Sequence, residues 1–158
     1  MNYSEIPLTR GQVAIVDAAD YDSLEQWKWT AFWNPSGKTF YAVRRTSRKE
    51  GKRRTIYMHR EICGDPAGLI VDHRDHNTLN NQRSNLRLAT SFQSARNQRR
   101  HTDNKSGAKG VMQRGRKWIT QIMIDGKNTW KSFATREQAV EAYAALAKAH
   151  HGEFACTE

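Results

Sequence analysis

VDHRDHNTLNNQRSNLRLATSFQSARNQ, from Val71 to Gln98, is the stretch on which the reading of this chain turns. It opens on the end of a β-branched run, LIVDH at 69–73, which predicts a short strand closing on Asp72 and His73. A polar loop follows, then LRLAT at 86–90, a second short strand with Asn85 just before it. Residues 91–100 are polar, contain neither Gly nor Pro, and predict a helix. An Asp-His pair, an amide and a polar helix face therefore fall in one strand–loop–strand–helix segment. Phosphodiester hydrolysis asks for a general base, a metal ion and a group that orients the base. An Asp-His pair at a strand end can offer ligand and base from adjacent positions, because consecutive strand residues point to opposite faces. An amide can fix the imidazole tautomer. A helix can bring a second oxygen ligand.

The rest of the chain sets the context. It has 158 residues, enough for one ordinary domain or two small ones, with 37% apolar and 9% aromatic residues. That is too apolar for a disordered chain, and thin for one large core. The net charge of +10 is uneven. Residues 1–35 carry two basic and five acidic groups, residues 36–110 seventeen and six, and residues 111–158 seven and five. A concentrated positive field suits a polyphosphate partner. A membrane surface would ask for an amphipathic basic helix. Arg44, Arg45, Arg48, Lys49, Lys52, Arg53 and Arg54 instead flank a glycine-bearing turn between strand-like runs, which favours nucleic acid over membrane or a merely solvated surface. No run approaches the roughly 20 apolar residues needed to cross a bilayer, and the N-terminus lacks a signal-peptide core. Cys63 and Cys156 give neither a disulfide framework nor a Cys-x-x-Cys pair. A reducing, cytoplasmic setting is the simplest expectation.

Strands are predicted at 12–17, 29–33, 39–45 and 53–59, and short helices at 20–28 and 59–63. Residues 101–107, HTDNKSG, read as a linker. Beyond it, three strands at 109–114, 117–124 and 128–133 precede a helix that a Thr135/Gln138 capping box opens and that runs to about His150. One face of the second strand carries Trp118, Thr120, Ile122 and Ile124 and should meet the helix; the other carries Lys117, Ile119, Gln121 and Met123. Trp118 and Trp130 read as core residues. Asn80, Asn81, Gln82 and Ser84 read as loop hydrogen-bonding residues, His76 as a loop residue, and His59 as a packing or capping residue. A zinc site from His59, Cys63, His73 and His76 matches no common spacing.

Asp72-His73 with Asn85-Leu86-Arg87 beginning twelve residues after the histidine, followed by a polar helix, resembles the HNH nuclease motif. With MHR at 58–60, RSNLRLAT at 83–90 and NKSGAKGV at 104–111, the chain resembles phage-type HNH homing endonucleases over nearly its whole length. The resemblance implies a ββα-metal nuclease core and a divalent cation, Mg²⁺ with Mn²⁺ as the alternative. It assigns metal binding to Asp72, the general base to His73 and base orientation to Asn85. That family usually carries Asn or His nine residues after the middle Asn, where this chain has Ser94. Asn97, one turn further along, is the preferred substitute ligand, with Ser94 itself and Gln98 as the others. Arg74, Arg83 and Arg87 are candidates to hold phosphates.

GAKGV at 107–111, KWITQI at 117–122, SFATREQAVEAYA at 132–144 and HGEFA at 151–155 resemble the plant Apetala/ethylene-response-factor DNA-binding domain. That resemblance implies a sheet entering the major groove. Carried over by position, the DNA contacts are Lys109, Gln121, Met123, Lys127 and Thr129, with Arg114 and Arg116 on the first hairpin. Trp130-Lys131 replaces that family's Leu-Gly, and Met112 and Met123 stand where basic residues are usual.

The expected architecture is α+β. Residues 1–60 form a β-rich subdomain, 61–101 the ββα-metal core, 102–107 a linker, and 108–158 a three-stranded antiparallel sheet packed on one helix. The expected activity is metal-dependent cleavage of double-stranded DNA, leaving 5′-phosphate and 3′-hydroxyl ends. No membrane or small-molecule substrate is expected, and the chain would act as monomer or homodimer, in a bacterial host's cytoplasm if phage-encoded. A DNA-binding regulator that has lost cleavage is the alternative that Ser94 favours. A nonspecific toxin-type nuclease is the third reading, and the C-terminal reader unit argues against it.

Overall fold

A computed structural model describes residues 2–47, 51–100 and 103–157. Arg48 and Lys49 of the basic run, and His101 and Thr102 of the expected linker, lie outside the described residues. The elements are β1 (Tyr3–Pro7), β2 (Val13–Asp17), α1 (Ala18–Glu25), β3 (Thr30–Asn34), β4 (Thr39–Arg45), β5 (Thr55–Tyr57) and α2 (Met58–Ile62). They continue as β6 (Ile70–His73), β7 (Leu86–Ala89), α3 (Ser91–Asn97), β8 (Val111–Arg114), β9 (Lys117–Ile124), β10 (Lys127–Phe133) and α4 (Arg136–His151). The class is α+β, as the sequence predicts. The contacts divide the chain into two compact units, Met1–Thr90 and Ser91–Glu158.

The first unit holds three antiparallel sheets: β1–β2, β3–β4–β5 and the hairpin β6–β7. Its core joins Ile6, Val16, Leu24, Trp29 and Met58 to Val71 and Leu86. The N-terminal strands and the nuclease hairpin, expected as subdomains at 1–60 and 61–101, thus share one apolar interior. The edge of β2 also grips the polar loop: Ile15 N donates to Leu79 O at 2.8 Å, and Asn81 N donates to Ile15 O at 2.7 Å. β1 is the strand the sequence reading omits. Only Ile6 of its five residues is buried, so it has little hydrophobic periodicity of its own and forms as the partner of β2. Arg44 does not project into solvent as a phosphate contact would. Its guanidinium lies 4.2 Å from the Trp27 ring centre and makes a two-pronged ion pair with Glu61, both bonds 2.9 Å.

The second unit packs α4 on the sheet β8–β9–β10, which runs in the order β10–β9–β8. Thr135 accepts from Gln138 N, and Thr135 N donates to the Gln138 side chain, completing the capping box. Ala139, Tyr143, Ala147 and His151, at i, i+4, i+8 and i+12, form the buried stripe of α4. Gly110 carries φ +65°, and a Cβ there would fall 2.1 Å from the Tyr143 ring, so this position accepts only glycine. Two expectations change. Residues 104–108 are an ordered turn rather than an open linker: Ser106 Oγ donates to Ala108 O, Asn104 Oδ1 accepts from Gly107 N, and Arg136 Nε donates to Ser106 O. The helix α3, expected to complete the nuclease core, belongs to the second unit, where it meets the 3-10 turn at Gly152–Phe154.

Candidate active site

The hairpin β6–β7 sets the geometry. Asp72 faces Arg87 and His73 faces Leu86 across the ladder, so alternation sends the Asp72 and His73 side chains to opposite faces. His73 points to the core side and is 5% exposed. Its ring meets the His59 ring edge-on at 5.1 Å between centres, with Tyr41 at 6.4 Å. His59 comes from α2, buried against Tyr41 and Tyr57.

Burial holds the His73 imidazole below its ordinary value, against the opposing pull of its bond to Asn81 and of the Asp75 and Asp72 carboxylates. Burial also drives His59 down to about 3, with His73 and Arg60 adding to the effect. Both rings are therefore neutral at pH 7, and His73 is in the form that can accept a proton.

The hydrogen bonds assign its tautomer. His73 Nε2 lies 3.4 Å from Asn81 Oδ1. Asn81 is fully buried, and its Nδ2 donates to Leu79 O at 3.1 Å, which turns the carbonyl oxygen toward the histidine. A carbonyl only accepts, so Nε2 carries the hydrogen and Nδ1 carries the lone pair. Asn81, read from sequence as an ordinary loop residue, is thus the amide that touches the imidazole. Its only sequence signal is an amide in a polar loop eight residues past His73.

Asn85, expected to orient the base, does a different job. Its Nδ2 donates to Asp75 Oδ1 at 2.9 Å and to Asn80 O at 2.8 Å, and its Oδ1 accepts from Asp75 N at 3.1 Å. Asp75 in turn accepts from Asn77 N and Asn80 Nδ2, both at 2.8 Å. Burial opposes the Asp75 charge, but bonds from Asn80, Asn77 and Asn85, with His73 nearby, hold its carboxyl below the ordinary range. This network fixes the loop that carries Asn81, so Asn85 bears on His73 through the loop rather than by contact among the hydrogen bonds described.

The arginines separate. Arg87 is buried, and its Nε and Nη2 donate to Asp72 Oδ2 at 2.9 and 2.8 Å. It holds the carboxylate instead of reaching a phosphate. Arg83 makes a two-pronged pair with Asp20 at 2.9 and 2.7 Å, tying the loop to α1, although its side chain is 59% exposed. Arg74 is exposed beside the hairpin end.

The donor chemistry of Asp72 fits a hard divalent cation. It offers a carboxylate that Arg87 holds in place, and Mg²⁺ characteristically binds one or two carboxylates and completes its shell with water and substrate phosphate. Among the described residues, no three His, Cys, Asp or Glu side chains gather as a metal-binding group. Ser94 is half-buried and Asn97 buried on α3, in the second unit, and Gln98 is exposed just past the helix.

The C-terminal candidates also divide. Lys109 Nζ donates to the Arg96 and Gln98 carbonyls at 2.6 and 2.5 Å, neutralising the C-terminal end of α3, and burial lowers its ammonium pKa. It is a structural lysine. The register pairs Lys127 with Ile124 and Thr129 with Ile122, placing both on the α4 side of the sheet, not the outer face. Gln121, Met123 and Arg114 are on the outer face, and Arg116 is in the β8–β9 turn. Trp118 packs in the core as expected, whereas Trp130 is 54% exposed on the outer face.

Residues 64–96 match the family model of the HNH endonuclease. An uncharacterised HNH endonuclease of Acanthamoeba polyphaga mimivirus is 33% identical over 147 residues, covering 92% of this chain and 74% of that protein. The chain belongs to the HNH endonuclease family. Nuclease activity, and with it binding to nucleic acid, follows at that level from the family. The HNH segment runs from the turn after α2, through the hairpin and its loop, to the last turn of α3. No solved structure matches the chain significantly. No helix among the described residues is long and apolar enough to cross a membrane.

Proposed function

We propose that this HNH protein is a metal-dependent DNA endonuclease of homing type, cutting phosphodiester bonds of duplex DNA to leave 5′-phosphate and 3′-hydroxyl ends. The observation that carries the reading is His73: buried, neutral, with Nε2–H turned to a fixed amide and the lone pair on Nδ1. His73 Nδ1 accepts a proton from the attacking water. Asn81 Oδ1 holds the opposite edge of the ring while charge develops there. Asp75 and Asp72 favour the imidazolium once it forms. Asp72, braced by Arg87, is the carboxylate that would hold the divalent ion. Such an ion, when bound, supplies electrostatic stabilisation of the phosphate and of the leaving 3′-oxygen. Asn85 keeps the loop in place. Arg74 is the phosphate contact, joined on the second unit by Arg114 and Arg116.

The homing assignment is supported by a second compact unit carrying an exposed sheet face, which a nonspecific degradative nuclease does not need. Ser94 supports a second reading, a DNA-binding protein that has lost cleavage, because a neutral hydroxyl is a poorer donor to a hard cation than an amide oxygen.

The test is incubation with supercoiled plasmid plus Mg²⁺ or Mn²⁺, followed by end analysis. Expected products are relaxed or linear DNA whose 5′ ends accept kinase labelling only after phosphatase treatment. Ends bearing 3′-phosphate would contradict the mechanism. Intact plasmid at every metal concentration, with duplex still bound, would favour the second reading.

A further inference from the structure

The outer face of the C-terminal sheet takes no part in the cleavage chemistry. Cross-strand partners in an antiparallel pair share a face, so the register fixes its composition row by row. Met112, Ile119 and Ser132 stand in one row, Gln121 and Trp130 in the next, and Met123 and Asn128 in the last. Met112, Met123 and Trp130 are 39%, 45% and 54% exposed, although α4 covers the opposite face of the same strands. Arg114 and Lys117 pair at one end of the face, and Arg116 lies in the turn beside them. No acidic residue occurs among the positions of β8, β9 or β10. A face with apolar and amide groups at its centre, cations at its end and no carboxylates is complementary to duplex DNA. The long hairpin β9–β10 has the form of a two-stranded ribbon, which the major groove admits.

The centre of the face also selects among bases. Guanine is read chiefly by arginine or lysine, through its O6 and N7 acceptors. Arg114 and Lys117 sit at the end, side by side, where two like charges suit two phosphates. The centre offers two amides, the group that pairs with adenine N6 and N7, set among methionines, an isoleucine and a tryptophan, which suit thymine methyl groups. Gln121 and Asn128 are diagonal neighbours, and that offset is roughly 7–8 Å, about two base-pair steps.

We propose that this face reads an A·T-containing run in the major groove, with Gln121 and Asn128 on adenines about two steps apart and Met112, Met123 and Trp130 against thymine methyls. The proposal rests on the DNA-binding reading above and adds the base preference.

The test uses the full chain, in EDTA so that no DNA is cut. Bound duplexes are selected from a random pool, and the winning site is then remade with uracil for thymine, which removes methyl groups and leaves the hydrogen-bonding pattern intact. Expected are an A·T-rich winner, a loss of about fourfold in affinity per contacted methyl, and a smaller loss with Met123→Ala, which has less contact to forfeit. Gln121→Ala should relax preference at one adenine by roughly five- to a hundredfold. A G·C-rich winner, or indifference to uracil in both proteins, overturns the base preference while leaving DNA binding standing. Failure of the full chain to hold any duplex overturns both. A dimer that Trp130→Ala converts to monomer, with DNA affinity unchanged, would make the face a contact between copies of this chain and would likewise overturn the proposal.

Discussion

Replacing His59 by phenylalanine should make the protein markedly more resistant to acid. His59 is 8% exposed, packed edge-on to His73 and between two tyrosines, and its folded pKa is about 3 against 6.5 for an unperturbed histidine. The unfolded chain therefore takes up this proton as pH falls through 6.5, while the folded chain refuses it until about 3. The neutral ring's stabilising contribution is complete above pH 6.5 and is lost progressively between 6.5 and 3. Linkage over that interval gives a loss of about 2 kcal/mol on going from pH 7.5 to pH 5 from this group alone. Phenylalanine keeps the ring and the packing and cannot take the proton. Urea unfolding of both proteins at pH 7.5 and pH 5, followed by tryptophan fluorescence, reads the difference. The variant should lose about 2 kcal/mol less than wild type between the two pH values. Equal losses would refute the reasoning, because His59 would then titrate alike in both states. His73, shifted in the same direction, leaves some acid sensitivity in each protein.

Asn81→Ala should lower the single-turnover cleavage rate at pH 7.5 by about ten- to a hundredfold, because a buried Nε2–H left without its acceptor costs about 1–3 kcal/mol; duplex affinity, measured in parallel, should not move, and an unchanged rate would remove Asn81 from the site. Arg87→Ala should destabilise the fold by about 3–5 kcal/mol, as loss of one partner of a buried ion pair does. Asp72→Asn with Arg87→Met should restore much of that stability in urea unfolding without restoring cleavage, and an active double variant would show that Asp72 holds no ion. Ser94→Asn should lower the Mg²⁺ concentration needed for half-maximal cleavage, since an amide oxygen is the better hard-cation ligand. A protein already saturated at micromolar Mg²⁺ and indifferent to this change and to Asn97→Ala would take the helix out of the ligand set.

Most of the secondary structure was legible, because most elements carried a local signal of their own. The capping box announced α4, the β-branched runs announced the hairpin strands, and the alternation of Trp118, Thr120, Ile122 and Ile124 marked the inner face of β9. What escaped depended on partners distant in sequence. β1 becomes a strand only because β2 lies beside it. Arg87 looks like a phosphate contact until the ladder sets it opposite Asp72. Lys127 and Thr129 were assigned to the groove side by positional likeness, but a strand shifted by one residue exchanges its faces, and only the register decides. The amide at His73 was least legible. Four asparagines, Asn77, Asn80, Asn81 and Asn85, share the loop with Gln82, and which amide meets the imidazole depends on the backbone bonds that pin residues 79–81 to β2.

The central claim is that neutral His73 is the base in DNA cleavage. The most direct measurement compares wild type with His73→Ala in single-turnover cleavage of plasmid at saturating protein, with Mg²⁺ at pH 7.5 and duplex binding determined alongside. The account predicts a fall on the order of a hundred- to ten-thousandfold in rate with binding nearly intact. A variant that cuts at the wild-type rate would contradict it.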